Sequence, residues 1–117
     1  MSDLKNFKIE LFKALSHGHR ISIINTLRDG ERSVAHICEI LNIESSYASQ
    51  QLSILKNKNI VSGRKEGSQV FYSIKDEAIL SLLDIARSIF NNHITDLKST
   101  IKEVKKKSKK EDSKYYD

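Results

Sequence analysis

The 117-residue sequence predicts a mainly α-helical domain with one small β-hairpin, in the order α-α-α-α-β-β-α. Three observations carry this. The sequence has no proline and only four glycines, so few turns interrupt it. Apolar residues recur at three- and four-residue steps, the helical period, through most of its length. Between residues 60 and 74 that period gives way to two short β-type runs about a glycine turn.

Residues 4–15, LKNFKIELFKAL, place Leu4, Phe7, Leu11 and Leu15 on one helical stripe. Ser16 offers an N-cap for a second helix through HGHRISIINTLRDG, with Ile21, Ile24 and Leu27 inward and Gly30 as its stop. Ser33 opens a short third helix, VAHICEILN, with Val34, Ile37 and Leu41 inward. A tight break at Asn42-Ile43 leads into a fourth helix over 45–57, with Ala48, Leu52 and Leu55 inward. IVSGRKEGSQVFYSI then reads as strands 60–65 and 69–74 around Glu66-Gly67-Ser68. Asp76 caps a last helix that continues well past residue 97. Two short helices joined by a tight turn and followed by a hairpin make a winged helix-turn-helix.

Along the last helix, Ile79, Leu82, Leu83, Ala86, Ile89, Phe90, His93, Ile94, Leu97, Ile101 and Val104 keep one face apolar for about seven turns. The short domain before it cannot cover so long a stripe, which points to a second subunit dimerising through this helix.

The 20 Lys/Arg and 15 Asp/Glu leave a net charge of +5. Residues 1–97, read as the DNA-binding and dimerisation domain, hold 12 Lys/Arg against 11 Asp/Glu and are nearly neutral. Residues 98–117 hold eight lysines against four acids and read as a helix extension with a disordered, lysine-rich tail. No apolar run approaches the 20 or so residues of a membrane span, and MSDLKNFK lacks the apolar core of a signal peptide. Cys38 stands alone, which excludes an intrachain disulfide and suits a reducing cytoplasm. GxGxxG, P-loop, CxxC and HExxH motifs are all lacking, so no enzyme class or cofactor is indicated.

The fourth helix has an unusual outer face: Ser45, Ser46, Tyr47, Ser49, Gln50, Gln51 and Ser53. A merely solvated face favours Lys and Glu, which combine helix propensity with solubility. Ser and Gln instead suit hydrogen bonding to base edges and phosphates of double-stranded DNA. Ser46, Tyr47 and Gln50 are the candidate base contacts. Ser45 lies at the helix start. Ser49, Gln51 and the hairpin pair Arg64 and Lys65 are the candidate phosphate or wing contacts. A reading of another class is a winged-helix protein-interaction module with no DNA operator.

LFKALSHGHRISIINTL, SVAHICEILNIESSYASQQLSILKNKNIV and GRKEGSQVFYSI together resemble the ArsR/SmtB family of winged-helix repressors, over residues 11–74. Gly18 stands where the family has proline and Gln51 where it has histidine, while Glu44 occupies the usual Ser/Thr N-cap position. The resemblance implies a homodimeric repressor of a palindromic operator, released by an inducer. It also implies an interface built from the first and last helices, here Leu4, Phe7, Leu11, Ile89, Phe90, Ile94 and Leu97.

Many family members sense metals, but this sequence lacks the usual ligand sets. The Cys-x-Cys positions of one family site hold Ser33 and Ala35. His93-x-x-Asp96 matches half of another, but Leu80 and Leu82 stand where its remaining ligands belong. Zinc needs three or four converging N, S or O donors, so no metal site is expected. A metal- or redox-responsive alternative would have to use His36 with Cys38, His93 with Asp96, or His17 with His19.

Overall fold

The computed structural model describes the backbone of residues 2–116 and the side chains of residues 2–107. Its elements are α1 (Ser2–Leu15), α2 (Gly18–Thr26), β1 (Arg32–Ser33), α3 (Val34–Leu41), α4 (Ser45–Asn57), β2 (Val61–Glu66), β3 (Gln69–Ile74) and α5 (Ala78–Tyr116). The sequence order holds, with one addition. The two-residue strand β1 pairs antiparallel with β3, Arg32 opposite Tyr72 and Ser33 opposite Phe71, giving a sheet of order β1-β3-β2.

Local chemistry explains most boundaries. Ser16 does not cap α2; its hydroxyl donates to the Lys13 carbonyl at 2.8 Å and so completes the end of α1. His17 takes the N-cap position in extended conformation, with no side-chain cap. α2 ends at Thr26, earlier than a stop at Gly30 implies, and Gly30 itself uses a φ of 132° on the way to β1. Ser33 caps α3 as expected, its Oγ accepting from the His36 N–H at 3.1 Å. Asn42 closes α3 in the left-handed conformation, which asparagine tolerates better than most residues. Glu44 occupies the N-cap position of α4 without a side-chain bond. β2 and β3 join through a two-residue turn, Gly67-Ser68.

The core of the first unit draws Ala14 and Leu15 from α1, Ile23, Ile24 and Leu27 from α2 and the turn after it, and Ile37 from α3. Ala48, Leu52 and Leu55 come from α4, and Ile60, Val61 and Tyr72 from the hairpin region. The apolar faces of α2, α3 and α4 thus converge on one interior and leave the opposite face of α4 in solvent. Gly63 lies opposite Tyr72, and a Cβ there would stand 2.9 Å from the buried ring.

Two compact units are present, Met1–Leu80 and Ser81–Asp117, divided within α5. In the second unit the helix continues unbroken to Tyr116, and the stretch expected to be a disordered tail is helical. Lys and Glu favour helix, and neither Gly nor Pro intervenes. In this single chain Ile89, Phe90, Leu97, Ile101 and Val104 are exposed and Ile94 is half-buried.

Candidate nucleic-acid interface

The turn from α3 into α4 presents the outer face of α4 while Ala48, Leu52 and Leu55 anchor the inner one. Ser45, Ser46, Ser49, Gln50 and Ser53 are exposed and Tyr47 is half-buried. Ser46, Tyr47, Ser49, Gln50 and Ser53 line one open, shallow concavity. From residue 45 to 53 this helix carries no charged side chain. The face therefore offers hydroxyl and amide groups that donate and accept without long-range preference, the chemistry of base-edge readout.

Gln51 is a correction. It is only 7% exposed, and its Oε1 is buried with no hydrogen-bond partner among the described residues. Position 51 lies three residues after Ala48 and four before Leu55, so helix geometry sends it inward whatever its polarity. It does not join the outer face.

Tyr47 is held by a residue that local sequence reasoning missed. Its hydroxyl and His19 Nδ1 form a 2.7 Å hydrogen bond, and the rings meet edge to face with centroids 5.1 Å apart. His19 stands in the first turn of α2, so this bond ties that helix start to the outer face of α4. No local pattern connects residues 28 positions apart.

A second groove shows where the wing lies. Ser45 and Ser49 of α4 line it together with the N-cap Ser33 and Val34, Ala35 and Cys38 of α3, and Ser68, Gln69 and Val70 at the wing tip. α4 and the hairpin tip thus border a common surface. Lys65 is exposed on the hairpin and has no carboxylate partner among the described residues. Arg64 differs. Its guanidinium is paired with Glu31 and Glu66, both contacts at 2.6 Å. The hydrogen bond from Arg64 holds the Glu31 carboxyl below the ordinary carboxylate range, overcoming partial burial.

No group of three or more His, Cys, Asp or Glu is arranged to hold a metal among the described residues. His36 is exposed and lies 3.3 Å from an Arg32 nitrogen, Cys38 is half-buried, and His93 and Asp96 are exposed on α5. His17 and His19 have ring centroids 6.0 Å apart. No helix among the described residues is long and apolar enough to cross a membrane.

A helix-turn-helix with an exposed hydrogen-bonding second helix, bordered by a β-hairpin, defines a winged helix-turn-helix DNA-binding domain. Residues 17–62 match the family model described as "Bacterial regulatory protein, arsR family". The chain is also similar to the HTH-type transcriptional regulator Rv0081 of Mycobacterium tuberculosis, 33% identical over 103 residues, 87% of this chain and 90% of that protein. The crystal structure of Rv0081 superposes with a TM-score of 0.72 at 36% identity, covering 80% of this chain and 94% of that one. The biofilm growth-associated repressor of Agrobacterium fabrum is 35% identical over 80 residues, 68% of each chain. A solution structure of the homodimeric winged helix-turn-helix DNA-binding domain of Mb0332 from Mycobacterium bovis has a TM-score of 0.72 at 29% identity, covering 80% of this chain and 86% of that one. The protein belongs to the arsR family of transcriptional regulators.

Proposed function

We propose that the protein is a repressor that binds a palindromic DNA operator as a homodimer in the cytoplasm, with α4 in the major groove. The observation that carries this reading is the uncharged hydrogen-bonding surface of Ser46, Tyr47, Ser49, Gln50 and Ser53 beside the wing. Gln50 is exposed at its centre and suits a bidentate contact to an adenine edge. Ser45 and Ser49 border the wing groove and serve as backbone contacts, and Lys65 supplies the wing's cation for a phosphate.

Dimerisation is supported by exposed apolar side chains on two helices, each considered alone. On α1 these are Leu4, Phe7, Ile9 and Phe12, with Leu11 half-buried; on α5 they include Ile89, Phe90 and Leu97, with Ile94 half-buried. Exposed apolar stripes of this kind mark interaction surfaces. The homodimeric Mb0332 domain points the same way, and the repressor name of the Agrobacterium relative supports the repressor reading. The releasing signal is not a metal bound at the usual family positions, where serine, alanine and leucine side chains offer no adequate donor set.

The test is a pair of substitutions measured on a selected operator and on random DNA. Gln50→Ala is expected to cost about 1–3 kcal/mol on the operator and to relax preference at one position per half-site. Lys65→Ala is expected to weaken both DNAs alike and to flatten the salt dependence. Equal loss on both DNAs in the Gln50 variant, or no DNA binding by the unmodified protein, overturns the reading.

A further inference from the structure

Arg64 stands on β2, at one edge of the β1-β3-β2 sheet, and Glu31 immediately precedes β1 at the other. Phe71 of β3 lies between them, paired in register with Arg64 on one side and Ser33 on the other. The guanidinium carbon sits 4.7 Å from the centroid of the Phe71 ring. Arg64 Nε donates to both Glu31 oxygens at 3.0 and 2.9 Å, and Nη2 donates to Glu31 Oε1 at 2.6 Å. Nη1 donates to Glu66 Oε2 at 2.6 Å, on the same strand. Neighbouring strands are spaced about 4.8 Å apart, so this one side chain reaches across the width of the small sheet.

That arrangement is a poor phosphate receptor. Each of the three guanidinium nitrogens already donates to a carboxylate, out of five N–H groups in all. Capture of a phosphate would leave two carboxylates facing a polyanion. As a mechanical tie it is well made. The planar fork fixes direction through paired hydrogen bonds, and the ring below fixes its plane. Glu31 lies three residues before α3 begins, next to the Arg32–Ser33 strand, and Ser33 is the cap of that helix.

We propose that Arg64 is a positioning residue: it crosses Phe71 to Glu31 and fixes the hairpin against the start of the helix-turn-helix, so that Lys65 and the wing tip approach DNA at a set angle. It makes no phosphate contact of its own. The effect on DNA rests on the operator-binding function proposed above, while the tie itself belongs to the free protein. The residues are partly exposed, at 51% for Arg64, 35% for Glu31 and 66% for Glu66. Such pairs shift an equilibrium by about fivefold or less each, so the variants remain folded.

Two measurements test it. The first follows amide hydrogen exchange across residues 64–70 of the full chain without DNA. Arg64→Ala, Arg64→Lys and Glu31→Gln should each speed exchange there by about two- to fivefold, and the exchanged pair Glu31→Arg with Arg64→Glu should restore slow exchange. The second compares salt dependence on a selected DNA duplex. Arg64→Ala and Arg64→Lys should weaken binding by similar factors with an unchanged slope, while Lys65→Ala lowers the slope by about 0.9 per subunit. Unchanged exchange in all three single variants overturns the tie. So does an Arg64→Ala slope reduced by about 0.9 per subunit while Arg64→Lys stays like the unmodified protein. If the unmodified protein binds no DNA, the operator reading fails while exchange still decides the tie.

Discussion

Replacing Gln51 with methionine is expected to stabilise the domain by about 1–2 kcal/mol and to leave DNA affinity unchanged. The side chain is 7% exposed, and its buried Oε1 has no hydrogen-bond partner among the described residues. Leaving such a group unsatisfied costs about 1–3 kcal/mol. Methionine has similar length and helix propensity, so backbone and packing change little. Volume-conserving swaps in a core cost less than about 1.5 kcal/mol, which leaves a net gain near the lower half of the desolvation range. In a domain of this size the gain raises the melting temperature by about 4–8 °C per kcal/mol. Urea and thermal unfolding should be compared at equal protein concentration, since a dimer's stability depends on it. A methionine variant that is less stable refutes the burial argument. One that keeps its stability but loses operator affinity returns Gln51 to the DNA.

Three further expectations follow from single features of the structure. Gly63→Ala places a Cβ 2.9 Å from the buried Tyr72 ring and should cost about 1–3 kcal/mol in urea unfolding; an unchanged midpoint contradicts the register. Glu31 has its carboxyl pKa lowered, chiefly by the Arg64 hydrogen bond, so its contribution is present above the ordinary value of 4.5 and lost as pH falls through the folded-state value. Stability followed downward from pH 5 or so should therefore decline less steeply in Glu31→Gln than in the unmodified protein, and parallel curves remove the linkage. Phe90→Ala with Leu97→Ala should shift the protein toward monomer at micromolar concentration in sedimentation, because each buried side chain is worth about 1.5–3 kcal/mol and a two-fold interface counts it twice. A dimer that survives both changes places the interface elsewhere.

The elements legible in the sequence are those whose signal is local. The helical period of α4, the cap at Ser33 and the glycine turn of the hairpin are each written within a few residues. β1 was not legible because two residues, Arg32 and Ser33, carry no alternation and are made a strand only by pairing with β3. Ser16 resembled a cap because serine suits both roles; the Lys13 carbonyl decides between them. The polarity of Gln51 suggests the outer face, but its position three residues from Ala48 puts it on the buried one. The proposed DNA-facing surface is legible as a set of hydrogen-bonding side chains on one helix, but its supports are not. His19 under Tyr47 and Glu31 under Arg64 are brought in from 28 and 33 residues away, and only the packed fold joins them.

The most direct test of the account is selection of binding sites for the full chain from random double-stranded DNA, followed by a hydroxyl-radical footprint on the winner. The expected product is a palindrome whose half-sites lie about one helical turn, 10–10.5 base pairs, apart. Protection should fall on both half-sites, and Gln50→Ala should lose preference at one position in each. Recovery of sequences no different from the starting pool would contradict it, as would a single asymmetric site bound by one chain.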